Sequence, residues 1–201
     1  MCQQKVFRLG NLEVLPGEKV SGYLELEGGK FRLPAAILHG KKPGKTVLIT
    51  AGVHAGEYVG IQSAIELAQK LKIEKVEGTV IIIKVVDRMA FEKRNGSKGI
   101  PDGKNLNRVF PGNPDGTETE QLAWAISRNL HTIADYYIDL HSGDDYEQLT
   151  PYVYYAGKAS EEVVAASRQM AEQVDVPYMV KSNVASGGSY NYAASQGVPG
   201  I

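Results

Sequence analysis

The 201-residue chain is predicted to fold as an α/β protein with a mixed, mostly parallel central sheet flanked by helices. Three observations predict this class. Thr46–Ala51 (TVLITA) and Thr79–Val86 (TVIIIKVV) are short β-branched runs with apolar residues on both faces, the pattern of strands covered on both sides. A helical stripe lies between them. From Thr46 onward strand and helix signals alternate, as they do in layered α/β folds.

Each element has its own justification. Before Thr46 the chain reads as short strands, Lys5–Leu9, Val20–Glu27 and Phe31–His39, separated by the turn signals Pro16-Gly17 and Gly28-Gly29. Between the two core strands, Tyr58–Lys72 places Ile61, Ala64, Ile65, Ala68 and Leu71 on one helical face, with Glu66, Gln69 and Lys70 opposite. A second helix, Glu118–His131, opens with Thr117 and Glu120 at capping-box spacing and carries the stripe Leu122, Ile126, Leu130 and Ile133. A third, Ser160–Val174, turns Val163, Ser167, Met170, Ala171 and Val174 inward. Strands are expected at Tyr136–Leu140, Tyr152–Tyr155 and Tyr178–Lys181. Ala90–Asp115 has little periodicity and many Gly, Pro, Asn and Asp residues; loops that long in a compact domain are usually functional or disordered. Ser195–Ile201 reads as a helix exit, a turn and the first residue of a strand. The expected organisation is therefore one domain over 1–201, with N-terminal strands in 1–40 and a core in 41–201 that is incomplete after 201.

Composition narrows the partners. Lys plus Arg number 22 and Asp plus Glu 23, a net charge of −1, without the basic excess of a nucleic-acid binder. Hydrophobic residues at 43% and charged residues at 22% are ordinary for a globular protein. No apolar run approaches the ~18 residues of a membrane helix, and the first residues lack a signal-peptide pattern. The single cysteine, Cys2, excludes an internal disulfide and fits a reducing compartment. The expected location is the cytoplasm, with neither nucleic acid nor membrane as partner.

Several apparent motifs are read as structural. Gly40–Thr46 resembles a phosphate loop, but it is one residue short and leads into a strand, so the helix N-terminus that would hold phosphate is missing. Asn95-Gly96-Ser97 matches a glycosylation acceptor without a secretory context. Ser186–Ser189 reads as a flexible turn. His39 is taken as a strand-end residue, His131 as a helix C-terminal imidazole favoured by the dipole, and Cys2 as part of a frayed terminus.

One constellation survives. His54 and Glu57 follow the strand Thr46–Ala51 at the mouth of the next helix, and His141 follows the strand Tyr136–Leu140. Ligands in open α/β sheets gather at the carboxyl ends of strands, so the three side chains project toward one edge. Two imidazoles and a carboxylate form the ligand set of a catalytic zinc with one position open to water. Zinc lowers the pKa of that water from ~15.7 to roughly 7. Asp139 lies on the same strand face as His141 and either orients a ligand or is satisfied by backbone amides. In the long loop, Arg94 and the pair Asn107-Arg108 offer guanidinium groups suited to carboxylates and oxyanions.

Three ordered segments carry a resemblance: Gly52-Val53-His54-Ala55-Gly56-Glu57-Tyr58, Asp102-Gly103-Lys104-Asn105-Leu106-Asn107-Arg108-Val109-Phe110-Pro111-Gly112, and Asp139-Leu140-His141-Ser142-Gly143. Over residues 34–201 the chain resembles the succinylglutamate desuccinylase/aspartoacylase family of the zinc metallocarboxypeptidase superfamily. The resemblance implies a zinc carboxypeptidase-like fold and one Zn²⁺ per chain held by His54, Glu57 and His141. It implies that Asn107 and Arg108 bind a substrate carboxylate and that an arginine, for which Arg94 is the candidate, polarises the scissile carbonyl. Many relatives carry Asp where this chain has Asn105, a position that orients the first histidine. The family's general base is a glutamate on a later strand, which places it just past residue 201 and makes this chain a piece that lacks it.

The leading expectation is a zinc-dependent hydrolase cleaving an amide bond in a small carboxylate-bearing substrate, an N-acyl amino acid deacylase. The alternatives are a metallocarboxypeptidase acting on a peptide C-terminus and a non-catalytic domain that keeps the zinc pocket.

Overall fold

The computed structural model describes residues 5–96, 98, 99, 102–144 and 147–201; Cys2 and Ser97, both weighed above, lie outside the described residues. The chain opens with a hairpin of β1 (Phe7–Leu9) and β2 (Leu12–Val14). The central sheet is built from β3 (Glu18–Leu26), β4 (Phe31–His39), β5 (Thr46–Ala51), β6 (Thr79–Ile83) and β7 (Tyr136–Leu140), in the spatial order β3-β4-β6-β5-β7. The pairs β3/β4 and β4/β6 are antiparallel, and β6/β5 and β5/β7 are parallel, so the sheet is mixed as expected. A parallel pair of β8 (Tyr152–Ala156) and β9 (Tyr178–Ser182) lies beyond β7.

Residues 199–201 join the two sheets. Tyr137 N donates to Pro199 O (2.9 Å), Ile201 N to Tyr137 O (3.1 Å) and Asp139 N to Ile201 O (2.9 Å), while Ala156 N donates to Gly200 O from the other side (3.2 Å). The segment therefore runs parallel to β7, with Tyr137 opposite Gly200.

The alternation of β-strand side chains explains the two cores. On β6, Ile81 and Ile83 face one side and Ile82 the other; on β5, Leu48 opposes Ile49 and Ala51; on β4, Ala35 and Ile37 oppose Ala36 and Leu38. Ile81, Ile82 and Ile83 are all fully buried, each contributing about 2 kcal/mol of transfer free energy. One face is covered by α1 (Tyr58–Lys70), which contributes Ile61, Ala64 and Ala68. The other is covered by α3 (Glu118–Asn129) and α5 (Ser189–Ser195), through Leu122, Ile126, Tyr190, Ala193 and Ala194. The capping box at Thr117 and Glu120 is formed, with Thr117 N donating to Glu120 Oε2 at 2.8 Å. The remaining helix, α4 (Glu161–Ala171), packs against β8 and is capped by the Ser160 hydroxyl.

Some elements differ from the sequence reading. β6 stops at Ile83 because the chain there follows the turn out of β5: Val86 N donates to Ala51 O and Asp87 N to Gly52 O. The long loop contains a short helix, α2 (Arg88–Glu92), started by Asp87, whose carboxylate accepts from Ala90 N. Ser186–Ser189 is not a free turn. Gly187 forms an antiparallel bridge with Phe110, and Ser189 is fully buried at the start of α5. Gly40–Thr46 leads into β5 as expected, laced to the 77–79 turn by Gly40 N to Gly78 O and Thr79 N to Lys45 O. His39 is buried between Thr79 Oγ1 and Lys5 O. Among the described residues no helix is long and apolar enough to cross a membrane.

Candidate metal centre

The parallel register of β5 and β7 pairs Ala51 with Leu140, so the carboxyl ends of the two strands are level. His141 is the next residue after β7. After β5 the chain turns at Gly52 (φ 66°), where a Cβ would meet Ile61 at 3.1 Å and the Val85 backbone at 3.2 Å. Val53 and Ala55, both 2% exposed, anchor the loop between them, and His54 projects from it. Glu57 then takes the N-cap position of α1 without capping the helix. The first turn of α1 approaches β7 closely because residue 60 is glycine: a Cβ there would lie 3.0 Å from Leu140 O.

These placements bring the three predicted ligands together. His54, Glu57 and His141 each offer one ligand atom, and the three atoms lie within 4.8 Å of one another. His54 Nδ1 is 2.8 Å from Glu57 Oε1 and His141 Nδ1 is 2.7 Å from Glu57 Oε2. Ser142 N donates to the same Oε2 at 3.0 Å. The imidazoles meet edge-on, centroids 5.1 Å apart.

The outer nitrogens settle which hydrogens point where. Asn107 N donates to Asn105 Oδ1 (2.8 Å), so that atom is the carbonyl oxygen of the amide. It also faces His54 Nε2 at 3.0 Å, so Nε2 carries the hydrogen. Asp139 Oδ2 likewise lies 3.1 Å from His141 Nε2. In both neutral imidazoles Nδ1 is then the bare lone pair, and both lone pairs point at the Glu57 carboxylate. Acceptors packed this way need positive charge between them, supplied by a proton or by a cation. Two imidazoles and one carboxylate, each histidine backed by an oxygen, fit zinc.

The titration behaviour has the same cause. Burial raises the Glu57 pKa, but the imidazoles of His141 and His54, whose Nδ1 atoms hydrogen-bond to the carboxylate when they carry a proton, outweigh it and hold the carboxyl at about 2. Burial disfavours charge on His141, yet Asp139 and Glu57 hold its pKa up to about 10. A proton and a cation thus compete for the same place between these groups.

The other predicted residues stand differently. Asn107 is buried, its Oδ1 accepting from Ser189 N at 2.8 Å, which turns Nδ2 toward His141 Nε2 at 3.4 Å. Arg108 is exposed and donates only to Asn107 O among the described residues (2.7 Å). Arg94 is exposed, at a left-handed backbone position (φ 52°) ending α2. Its segment is tied to the ligand loop by Gly56 N donating to Gly96 O at 3.1 Å. The dipole argument for His131 fails: α3 ends at Asn129, and burial pushes the His131 pKa down to about 4, leaving the ring uncharged.

Sequence reasoning missed a polar cluster behind Asp139. Thr50 Oγ1 donates to Asp139 Oδ1 at 2.6 Å and lies 2.7 Å from Tyr137 Oη, which is 2.7 Å from Ser189 Oγ. A signal existed: period-2 alternation puts Tyr137 and Asp139 on one face of β7, and Thr50 is the polar residue of β5 registered against Asp139.

The model of the succinylglutamate desuccinylase/aspartoacylase catalytic domain matches residues 43–201. The N-alpha-acetyl-L-2,4-diaminobutyric acid deacetylase of Halomonas elongata is 38% identical over 125 residues, 62% of this chain and 36% of that protein. The crystal structure of a succinylglutamate desuccinylase/aspartoacylase from Rhodobacter sphaeroides superposes with a TM-score of 0.79 at 26% identity, over 100% of this chain and 59% of that one. The product-bound ectoine utilization protein EutE (DoeB) of Ruegeria pomeroyi gives 0.76 at 28% identity, over 90% and 58%. The chain thus spans about a third of the curated relative and under two thirds of these structures. The family match covers most of the sequence and includes His54, Glu57 and His141; the chain belongs to the succinylglutamate desuccinylase/aspartoacylase family.

Proposed function

We propose that this chain is the metal-holding domain of a zinc-dependent hydrolase that cleaves the amide bond of a small N-acyl amino acid. The observation that carries the reading is the convergence of His54 Nδ1, His141 Nδ1 and the Glu57 carboxylate, with both Nε2 atoms already committed to Asn105 and Asp139. One Zn²⁺ held by His54, Glu57 and His141 would supply Lewis-acid polarisation of a carbonyl and activation of water at neutral pH. The chain's own residues do the rest. Asn107 Nδ2 is aimed at the centre because Ser189 N occupies the amide oxygen, leaving an N–H donor for a substrate oxygen. Arg108 adds a guanidinium with free donors for a carboxylate. Arg94 takes the developing oxyanion, and its place in a left-handed conformation usually left to glycine supports selection for the side chain.

On this reading the general base follows Ile201. The 199–201 segment, which runs parallel to β7 beside Tyr137 and Asp139, supports that reading as the start of the strand on which the base is expected. A cytoplasmic location is part of the same proposal. Deacylation is favoured over carboxypeptidase action because the relative at 38% identity is named a deacetylase.

Two measurements test the reading. Mass spectrometry of the purified chain should find about one zinc per chain, lost in His54→Ala; a folded chain that takes up no metal after zinc reconstitution refutes it. The zinc-loaded full-length protein offered N-acyl amino acids and peptides should release a free acyl acid; release of a C-terminal amino acid instead establishes the carboxypeptidase alternative. Zinc uptake by the full-length protein with neither product points to the binding domain.

A further inference from the structure

The polar contacts behind His141 form a line that ends far inside the molecule. Asp139, whose side chain is 1% exposed, lies between His141 Nε2 and Thr50 Oγ1. Thr50 Oγ1 meets Tyr137 Oη (2.7 Å), Tyr137 Oη meets Ser189 Oγ (2.7 Å), and Ser189 Oγ meets His131 Nε2 (3.2 Å). Four elements contribute: β5, β7, the start of α5 and the turn after α3.

Counting hydrogens gives this line one direction. Each hydroxyl owns a single hydrogen, and a carboxylate only accepts. Thr50 gives its hydrogen to Asp139. Tyr137 must then give its own to Thr50, or to Asp139, which is also within its reach. In either case the Tyr137 oxygen accepts from Ser189. Ser189, its hydrogen spent, accepts from His131 Nε2–H. Every hydrogen points from the buried imidazole toward the carboxylate. The same count accounts for His131 Nδ1, a buried nitrogen without a hydrogen-bond partner among the described residues. With the hydrogen on Nε2, Nδ1 is a bare lone pair among the rings of Phe110, Tyr137 and Tyr192. An unsatisfied buried acceptor is destabilising, and the opposite tautomer would break the line at Ser189.

We propose that His131, Ser189, Tyr137 and Thr50 are positioning residues for the metal centre, a one-way hydrogen-bond chain that holds Asp139 as acceptor and thereby fixes His141 with Nδ1 free for the metal. The proposal rests on the zinc reading above. Ser189 has a second part in it, since its backbone N–H orients Asn107, so one buried residue sets both a ligand and the neighbouring amide donor.

The test is zinc affinity of the 201-residue chain, measured by competition with a chromophoric chelator, with thermal melting alongside. Tyr137→Phe should weaken zinc binding about 10-fold, the range seen when partners behind metal ligands are lost. His131→Phe, which keeps a ring and removes the donor, should weaken it about 3-fold, less than the loss of a direct partner, because three hydroxyls stand between it and Asp139. His131→Gln restores an N–H at the Nε2 position and should return the affinity to wild type. Ile82→Val, on the opposite face of the sheet, controls for loosening of the fold and should leave zinc affinity unchanged. Should Tyr137→Phe fail to fold, Ser189→Ala interrupts the chain by loss of one oxygen and carries the same expectation. Wild-type affinity in folded His131→Phe and Tyr137→Phe or Ser189→Ala overturns the proposal. Equal loss in His131→Phe and His131→Gln also overturns it, because packing would then be the cause. A wild-type chain that binds no zinc is a different result and removes the zinc reading itself.

Discussion

The ligand centre and the arginine loop lie side by side, joined by the Gly56–Gly96 backbone hydrogen bond, yet they are built in opposite ways. At the centre each of the three side chains is held at two atoms. Glu57 holds two imidazoles and a backbone amide, and each imidazole is braced from behind by Asn105 or Asp139. In the loop, Arg94 and Arg108 are exposed, and among the described residues Arg108 hydrogen-bonds to one backbone carbonyl. The difference separates two requirements. A metal centre must be rigid before its ion arrives, because ligand geometry sets affinity. Side chains that grip a substrate gain from staying solvated and unpaired until it binds, since each donor then has no internal partner to give up.

The largest break in this contrast is Glu57→Gln. The amide can still accept from Ser142 N, but it cannot receive both Nδ1 atoms or contribute charge to a cation. Structural zinc sites yield roughly 10–16 kcal/mol over four ligands, so losing one should weaken zinc about 100-fold or more. Chelator competition measures it; an affinity within a few-fold of wild type would place the metal elsewhere.

Protonation offers a second way in. The ordinary histidine pKa of 6.5 rises to about 10 at His141 in the cation-free centre, so its contribution to folding is complete below pH 6.5 and is lost as pH climbs through 10. Glu57 falls from 4.5 to about 2, so its contribution is present above pH 4.5 and is lost as pH drops through 2. The metal-free chain should therefore lose thermal stability between pH 6.5 and 10. Zinc must displace the His141 proton, so its affinity should rise about 10-fold per pH unit across neutrality. Melting with chelator and with zinc should thus diverge as pH rises; parallel curves would mean that zinc and the proton do not compete for one place.

Much of this frame is legible in the sequence, and the reasons are physical. Phe31–His39, Thr46–Ala51 and Tyr136–Leu140 have the bounds expected of them, because burial leaves an apolar run and turn residues close it. The three candidate ligands could be brought together from sequence because strand ends in an α/β sheet share an edge and His54, Glu57 and His141 carry distinctive chemistry. α2 was hidden, since five residues show no helical period and its start depends on the Asp87 cap. The line from Thr50 to His131 was hidden for another reason. Hydroxyls scattered over 139 positions of sequence have no spacing rule, and only the β5/β7 register brings the first two together.

Asn105 is a place where the centre can be sharpened instead of broken. Its carbonyl already accepts from His54 Nε2 and Asn107 N, so Asn105→Asp keeps both bonds and adds charge. A carboxylate behind a ligating histidine raises its basicity. Zinc should bind up to about 10-fold tighter, with the steeper gain at low salt; weaker binding would show that the neutral acceptor suits this centre better.

The smallest effect tests the loop. Arg94 ends α2 at φ 52°, where a side chain costs roughly 1 kcal/mol relative to glycine. Arg94→Gly removes that strain, although the freer unfolded chain offsets part of the gain. The net change should be at most about 1 kcal/mol of added stability, read as a small rise in melting temperature, and zinc affinity should not move because no ligand or bracing residue contacts the side chain among the described residues. In the zinc-loaded full-length protein the same substitution should lower kcat far more than it alters KM, as expected when a group acts on charge that develops only in the transition state. A chain made more stable, equally able to bind zinc and slower in turnover would show that the left-handed arginine is kept for chemistry. If turnover were unchanged, Arg94 would be a surface residue, and the carbonyl-polarising group would have to be sought elsewhere.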